Sequence, residues 1–67
     1  MIEVTVNGKA KEIALSTTLS QLLAELKITD KFVLVEKNGD AVDRADYSKE
    51  IVQAGDVLEI VRLMGGG

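Results

Sequence analysis

Neither cysteine nor histidine occurs anywhere in the 67 residues. Their absence removes disulfides, thiolate and imidazole metal ligands, a thiol nucleophile and the one side chain that ordinarily titrates near neutral pH. Proline is absent too, and no linker-like stretch or internal repeat interrupts the chain. Aromatic residues are limited to Phe32 and Tyr47, the net charge is −3, and no cluster of Lys and Arg interleaves with aromatics. Nucleic acid is therefore not an expected partner. No run of about twenty apolar residues is available to cross a membrane. Met1-Ile2-Glu3 opens a strand-like pattern rather than a basic, then apolar, leader, so the cytosol is the expected location. The acidic residues are scattered singly and match no calcium-loop spacing, which leaves no metal site to expect.

What is present fits a folded chain: 46% apolar and 28% charged residues are ordinary globular usage. A domain this small buries roughly 60% of the surface its unfolded chain exposes and has little room for an enclosed active site. Its function is expected on the surface. Between Glu36 and Glu59, the acids Glu36, Asp40, Asp43, Asp46, Glu50, Asp56 and Glu59 stand against only Lys37, Arg44 and Lys49. One end of the domain is expected to look negative, either as a solvated face or as a surface that steers toward a basic partner.

Ile2, Val4 and Val6 alternate with Glu3 and Thr5, the period of a strand with one buried face, and Asn7-Gly8 follows as a hairpin turn. Ile13 and Leu15 continue the alternation on a second strand. Thr18 then precedes Leu19, Leu22, Leu23 and Leu26, whose spacing predicts a two-turn amphipathic helix facing the core, with Gln21 completing a capping box. Phe32 to Val35 predicts a third strand that enters a second hairpin turn at Asn38-Gly39, with Ala41-Val42 as a short return strand. Arg44 to Val52, including Tyr47, has no clear period and is expected to be irregular with one short helical turn. After a turn at Gly55-Asp56, Val57 to Val61 predicts a last strand with Leu58 and Ile60 on one face and the wetter Val57, Glu59 and Val61 on the other. This order implies an α+β architecture, a mixed sheet of four to five strands crossed by one helix, spanning residues 1–64. The last strand takes a central place beside the first, and residues 65–67 form a flexible tail.

That tail is Gly65-Gly66-Gly67. Three consecutive glycines arise by chance on the order of 3 in 10,000 at a usage of about 7%, so the feature carries weight against a frayed terminus. Without a Cβ, glycine passes through a narrow channel in conformations closed to other residues and leaves a terminal carbonyl unhindered. A carboxylate resists nucleophiles, and its use as an acyl group requires activation, for which adenylylation by ATP is a reasonable route. The chain offers no phosphate-cradling loop, no nucleophile paired with a base and no metal site for that step, so no residue is assigned a catalytic role. A partner must catalyse it. Val61, Leu63 and Met64 are apolar residues that the core need not consume, and with Arg62 they form the candidate partner interface.

Val33-Leu34-Val35-Glu36-Lys37-Asn38-Gly39, then Val42, Arg44 and Tyr47, then Gly55-Asp56-Val57-Leu58-Glu59-Ile60-Val61 and finally Met64-Gly65-Gly66-Gly67 resemble the ThiS-type sulfur carriers of thiamine biosynthesis. The resemblance spans the whole chain. It departs from the family at Asp43, where proline is frequent before the arginine, and at Gly65, a third glycine that only some members carry. It implies a ubiquitin-like β-grasp fold and no bound cofactor. It further implies that a ThiF-type, E1-like adenylyltransferase uses ATP and magnesium to activate the carboxylate of Gly67, with Gly65 and Gly66 giving access. Sulfur from a cysteine desulfurase system then makes a thiocarboxylate, which a ThiG-type thiazole synthase consumes. A carrier for another pathway, such as molybdopterin or cysteine synthesis, shares fold and tail, and a β-grasp interaction module with inert glycines is the reading of a different class.

Overall fold

A computed structural model describes residues 1–28 and 33–62. Among the described residues there are five strands and one α-helix: β1 (Ile2–Val6), β2 (Lys9–Ile13), α1 (Leu19–Glu25), β3 (Val33–Lys37), β4 (Asp40–Val42) and β5 (Val57–Arg62), with a short 3-10 helix at Arg44–Asp46. The sheet order is β2-β1-β5-β3-β4. β1 and β5 run parallel, and the other neighbours are antiparallel.

Both hairpins form as expected because their turns carry Asn-Gly. Asn7 and Gly8 have φ of 49° and 83°, and Asn38 and Gly39 have 54° and 90°. Positive φ at both central positions is the I′ pattern that matches the twist of paired strands. The second strand, however, is shorter than the alternation implies. It ends at Ile13, and Leu15 is 75% exposed in a turn where Ser16 has φ 68°. The Thr17 hydroxyl donates to the Ala14 carbonyl at 2.6 Å and holds that turn, so hydrophobicity alone misplaces Leu15.

Every free N–H of the first helical turn has a partner, which is what anchors a helix this short. Thr18 Oγ1 accepts from Gln21 N–H at 3.1 Å while Gln21 Oε1 accepts from Thr18 N–H at 2.9 Å, the predicted capping box. Leu22 N–H donates to the Thr18 carbonyl, Leu19 N–H to Glu50 O and Ser20 N–H to Tyr47 O. Segment 44–52, which has no period of its own, is therefore the helix's docking partner. At the other end Ile28 N–H donates to Leu23 O and Lys27 N–H to Ala24 O. This pair of bonds is a Schellman motif, with Lys27 (φ 60°) in the left-handed position that usually takes glycine.

Leu19, Leu22 and Leu23 pack against Val4, Ile13, Val33, Val35, Leu58 and Ile60, with Tyr47 and Val52 closing the core. Tyr47 is fully buried. Its hydroxyl accepts from Val35 N–H at 3.1 Å and lies 3.5 Å from the Val33 carbonyl. β4 pairs with β3 only from Val35 to Lys37. The phenol thus takes up edge groups of β3 where its neighbour strand has run out.

Candidate functional site

β5 is the central strand, and its inner residues Leu58 and Ile60 are buried while Val57, Glu59 and Val61 are exposed, the alternation expected from the sequence; Arg62 at the strand's end is exposed as well. It is paired on both flanks, with β1 at Thr5↔Val57 and Val6↔Leu58, and with β3 from Lys37↔Leu58 to Val33↔Arg62. The strand leads directly toward the glycines. Of the interface residues expected from the sequence, Val61 and Arg62 are on this strand; Leu63, Met64, Gly65, Gly66 and Gly67 lie outside the described residues.

Val61 is 46% exposed and stands directly across from Leu34, itself 36% exposed. Leu34 joins the candidate interface; the sequence reading places Phe32 to Val35 on a strand without assigning its faces. The signal was available, since an alternating strand must turn its middle residue to the other face. Two rungs along the ladder, on the same face, Glu59 stands opposite Glu36. On the far side of the sheet Glu3 stands opposite Glu12. The open face therefore presents apolar Val57, Val61 and Leu34 beside two rungs of like charge.

The other acids of the 36–59 stretch are not all on that face. Lys37 Nζ contacts Glu50 Oε2 at 2.6 Å and Asp56 Oδ2 at 3.5 Å, and donates to Ile51 O at 3.3 Å. The hydrogen bond to Glu50 raises the Lys37 ammonium above its ordinary value against the opposing effect of burial, with the Asp56 charge adding to it. Burial works to raise the Asp56 carboxyl, but it is outweighed by hydrogen bonds from Gln53 N–H and the Asn38 amide together with the Lys37 charge, and the group is lowered. These residues knot the β3–β4 turn, the 50–53 segment and the start of β5. They lie at the opposite end of β5 from Arg62. Among the described residues no group of three or more acids is placed to hold a metal ion. The shallow hollow lined by Leu15, Ser16, Gln21, Ala24 and Glu25 includes no residue of β5.

A second polar anchor was also illegible in the sequence, where Asn7 reads only as a turn residue. Its Oδ1 accepts from Ile60 N–H at 2.7 Å and its Nδ2 donates to Ile60 O at 3.3 Å, across 53 positions of sequence.

A five-stranded mixed sheet of this order, closed by one helix and carrying its central strand out toward a glycine-rich segment, is a β-grasp domain. The profile of the ThiS family matches residues 4–67, and the chain belongs to that family of sulfur carriers. It is 36% identical over 62 residues to the sulfur carrier protein ThiS of Bacillus subtilis, covering 91% of this chain and 94% of that one. The crystal structure of the thiamine biosynthesis protein ThiS from Geobacter metallireducens superposes with a TM-score of 0.83 at 36% identity, over 98% of this chain and 100% of that one. A thiazole synthase of Paramagnetospirillum magneticum is 36% identical over 66 residues, 98% of this chain. The chain spans only 20% of that synthase's length.

Proposed function

We propose that this domain is the protein handle of a sulfur carrier for thiazole assembly, with the carboxylate of Gly67 as the reactive group. An E1-like adenylyltransferase, using ATP and magnesium, attaches AMP to that carboxylate and releases pyrophosphate. Persulfide sulfur from a cysteine desulfurase system attacks the acyl adenylate and displaces AMP to give an acyl disulfide, which a thiol reductant cleaves to a thiocarboxylate and a disulfide; a thiazole synthase consumes the thiocarboxylate. The domain contributes recognition and presentation, not catalysis, and works in the cytoplasm. Val61 and Arg62, with Leu34 beside them and Leu63 and Met64 beyond, are the surface that the two successive partners share.

The observation that carries this reading is the placement of β5. A strand paired on both sides ends at Arg62, five residues before Gly67. Five extended residues span at most about 17 Å, a reach suited to a channel in a partner whose surface rests on the sheet. The family match runs through all three glycines. The thiazole synthase that contains a segment similar to this chain supports thiazole assembly as the destination of the sulfur. The test is ATP–pyrophosphate exchange catalysed by the adenylyltransferase. The unsubstituted chain should support it and a chain lacking Gly67 should not. Equal exchange with both would mean that Gly67 is not the activated residue.

A further inference from the structure

The last four residues of β5, Glu59 to Arg62, lack a strand partner on the β1 side. Thr5 N–H donates to Asp56 O and Asn7 N–H to Leu58 O, each at 2.9 Å, the evenly spaced bonds of a parallel ladder. The next rung requires a carbonyl from residue 7 for Ile60 N–H and an amide from residue 9 for Ile60 O. The chain has by then turned away at Asn7-Gly8 to begin β2. The Asn7 side chain supplies both groups instead, its oxygen at 2.7 Å and its nitrogen at 3.3 Å. One residue thus makes the turn at φ 49° and extends the ladder past it.

Ile60, bonded by Asn7 just past β1, is the last residue of β5 with a bond from that flank among the described residues, and Val61 and Arg62 follow it at once. We infer that the Asn7 side-chain amide is a positioning group for carrier activation, holding the end of β5 in register so that Val61 and Arg62 are presented to the adenylyltransferase in one orientation. The inference rests on the carrier reading above. Without the amide, the end of β5 is held by β3 alone and samples frayed arrangements in which only part of the population is competent to dock. Apparent affinity falls by that fraction while the step after docking is unchanged.

The experiment compares the full-length chain with Asn7→Gly and Asn7→Asp. Glycine suits the positive φ of the turn but removes both side-chain bonds, whereas aspartate keeps the acceptor for Ile60 N–H. Amide exchange at Ile60 and steady-state ATP–pyrophosphate exchange are measured at a temperature where melting curves show each variant folded. For Asn7→Gly the expected results are exchange at Ile60 about fivefold faster, the equivalent of one hydrogen bond, and a KM for the carrier raised by up to the same factor, with kcat unchanged. Asn7→Asp should recover part of both. A role in stability alone lowers the melting temperature and leaves KM where it was, and that result would overturn the inference. So would an Asn7→Asp variant as slow to dock as Asn7→Gly while its Ile60 amide stays protected. If Asn7→Gly does not fold, Asn7→Asp decides alone: an unchanged KM beside a faster-exchanging Ile60 amide overturns the inference. Failure of the unsubstituted chain to support exchange would instead overturn the carrier reading, and this inference with it.

Discussion

Removing one oxygen atom, in Tyr47→Phe, should destabilise the domain far more than its size suggests. The ring stays in the core, so no large cavity opens, but Val35 N–H loses the acceptor that sits 3.1 Å away. Tyr47 and Val35 are both essentially inaccessible to solvent, at 1% and 0% exposure, so water cannot take the hydroxyl's place without rearrangement. Leaving one buried donor unsatisfied costs about 1–3 kcal/mol. The Val33 carbonyl, at 3.5 Å, contributes less, since a longer contact is weaker. A domain of this length holds about 3–10 kcal/mol in all, so the change removes a substantial share. Each kcal/mol lowers the melting temperature of a domain this small by about 4–8 °C. Urea titration of both proteins, followed by circular dichroism, should show an earlier midpoint at unchanged slope, with amide exchange accelerated at Val35. A loss below about 0.5 kcal/mol, within the range of ordinary surface substitutions, would show that Val35 N–H does not depend on the phenol and would refute the role assigned to Tyr47.

Two further predictions concern other parts of the fold. Lys27→Gly should raise stability by up to about 1 kcal/mol, because glycine takes the left-handed position after α1 without the cost borne by a residue with a Cβ; a lower urea midpoint for the variant would contradict the Schellman assignment. Lys37 and Asp56 set opposite pH limits. Because Lys37 is raised in the fold, its contribution is complete below its ordinary value of 10.5 and is lost as pH rises through the higher folded value. Because Asp56 is lowered, its contribution is complete above its ordinary value of 3.8 and is lost as pH falls through the lower folded value. Stability measured against pH should therefore lose its Lys37-dependent alkaline decline in Lys37→Met, and identical alkaline declines in the two proteins would show that the knot contributes nothing there.

What could be read from the chain alone was local in origin. Asn7-Gly8 and Asn38-Gly39 announce their turns because the required positive φ belongs to those residues, and Thr18 with Gln21 announces the helix start because the two side chains need only each other. The α1 stop was not legible, since Lys27 occupies the glycine position and is held there by bonds to Ala24 and Leu23 rather than by its own preference. Nor could Tyr47 be assigned, since its burial depends on β4 ending at Val42 and exposing an edge for its hydroxyl. The bond from Asn7 to Ile60 joins positions that no local pattern connects. For the site, alternation along β5 turned Val61 outward and the same alternation along β3 turns Leu34 outward, but only the register sets the two side by side.

The central claim is that a sulfur atom is carried on the carboxyl group of Gly67. Incubating the chain with the adenylyltransferase, ATP, magnesium, a cysteine desulfurase system with cysteine, and a thiol reductant, and then fragmenting it in a mass spectrometer, tests it directly. The account predicts a mass gain equal to exchanging one oxygen for one sulfur, confined to fragments that contain Gly67. No gain, or a gain on fragments lacking that residue, would contradict it.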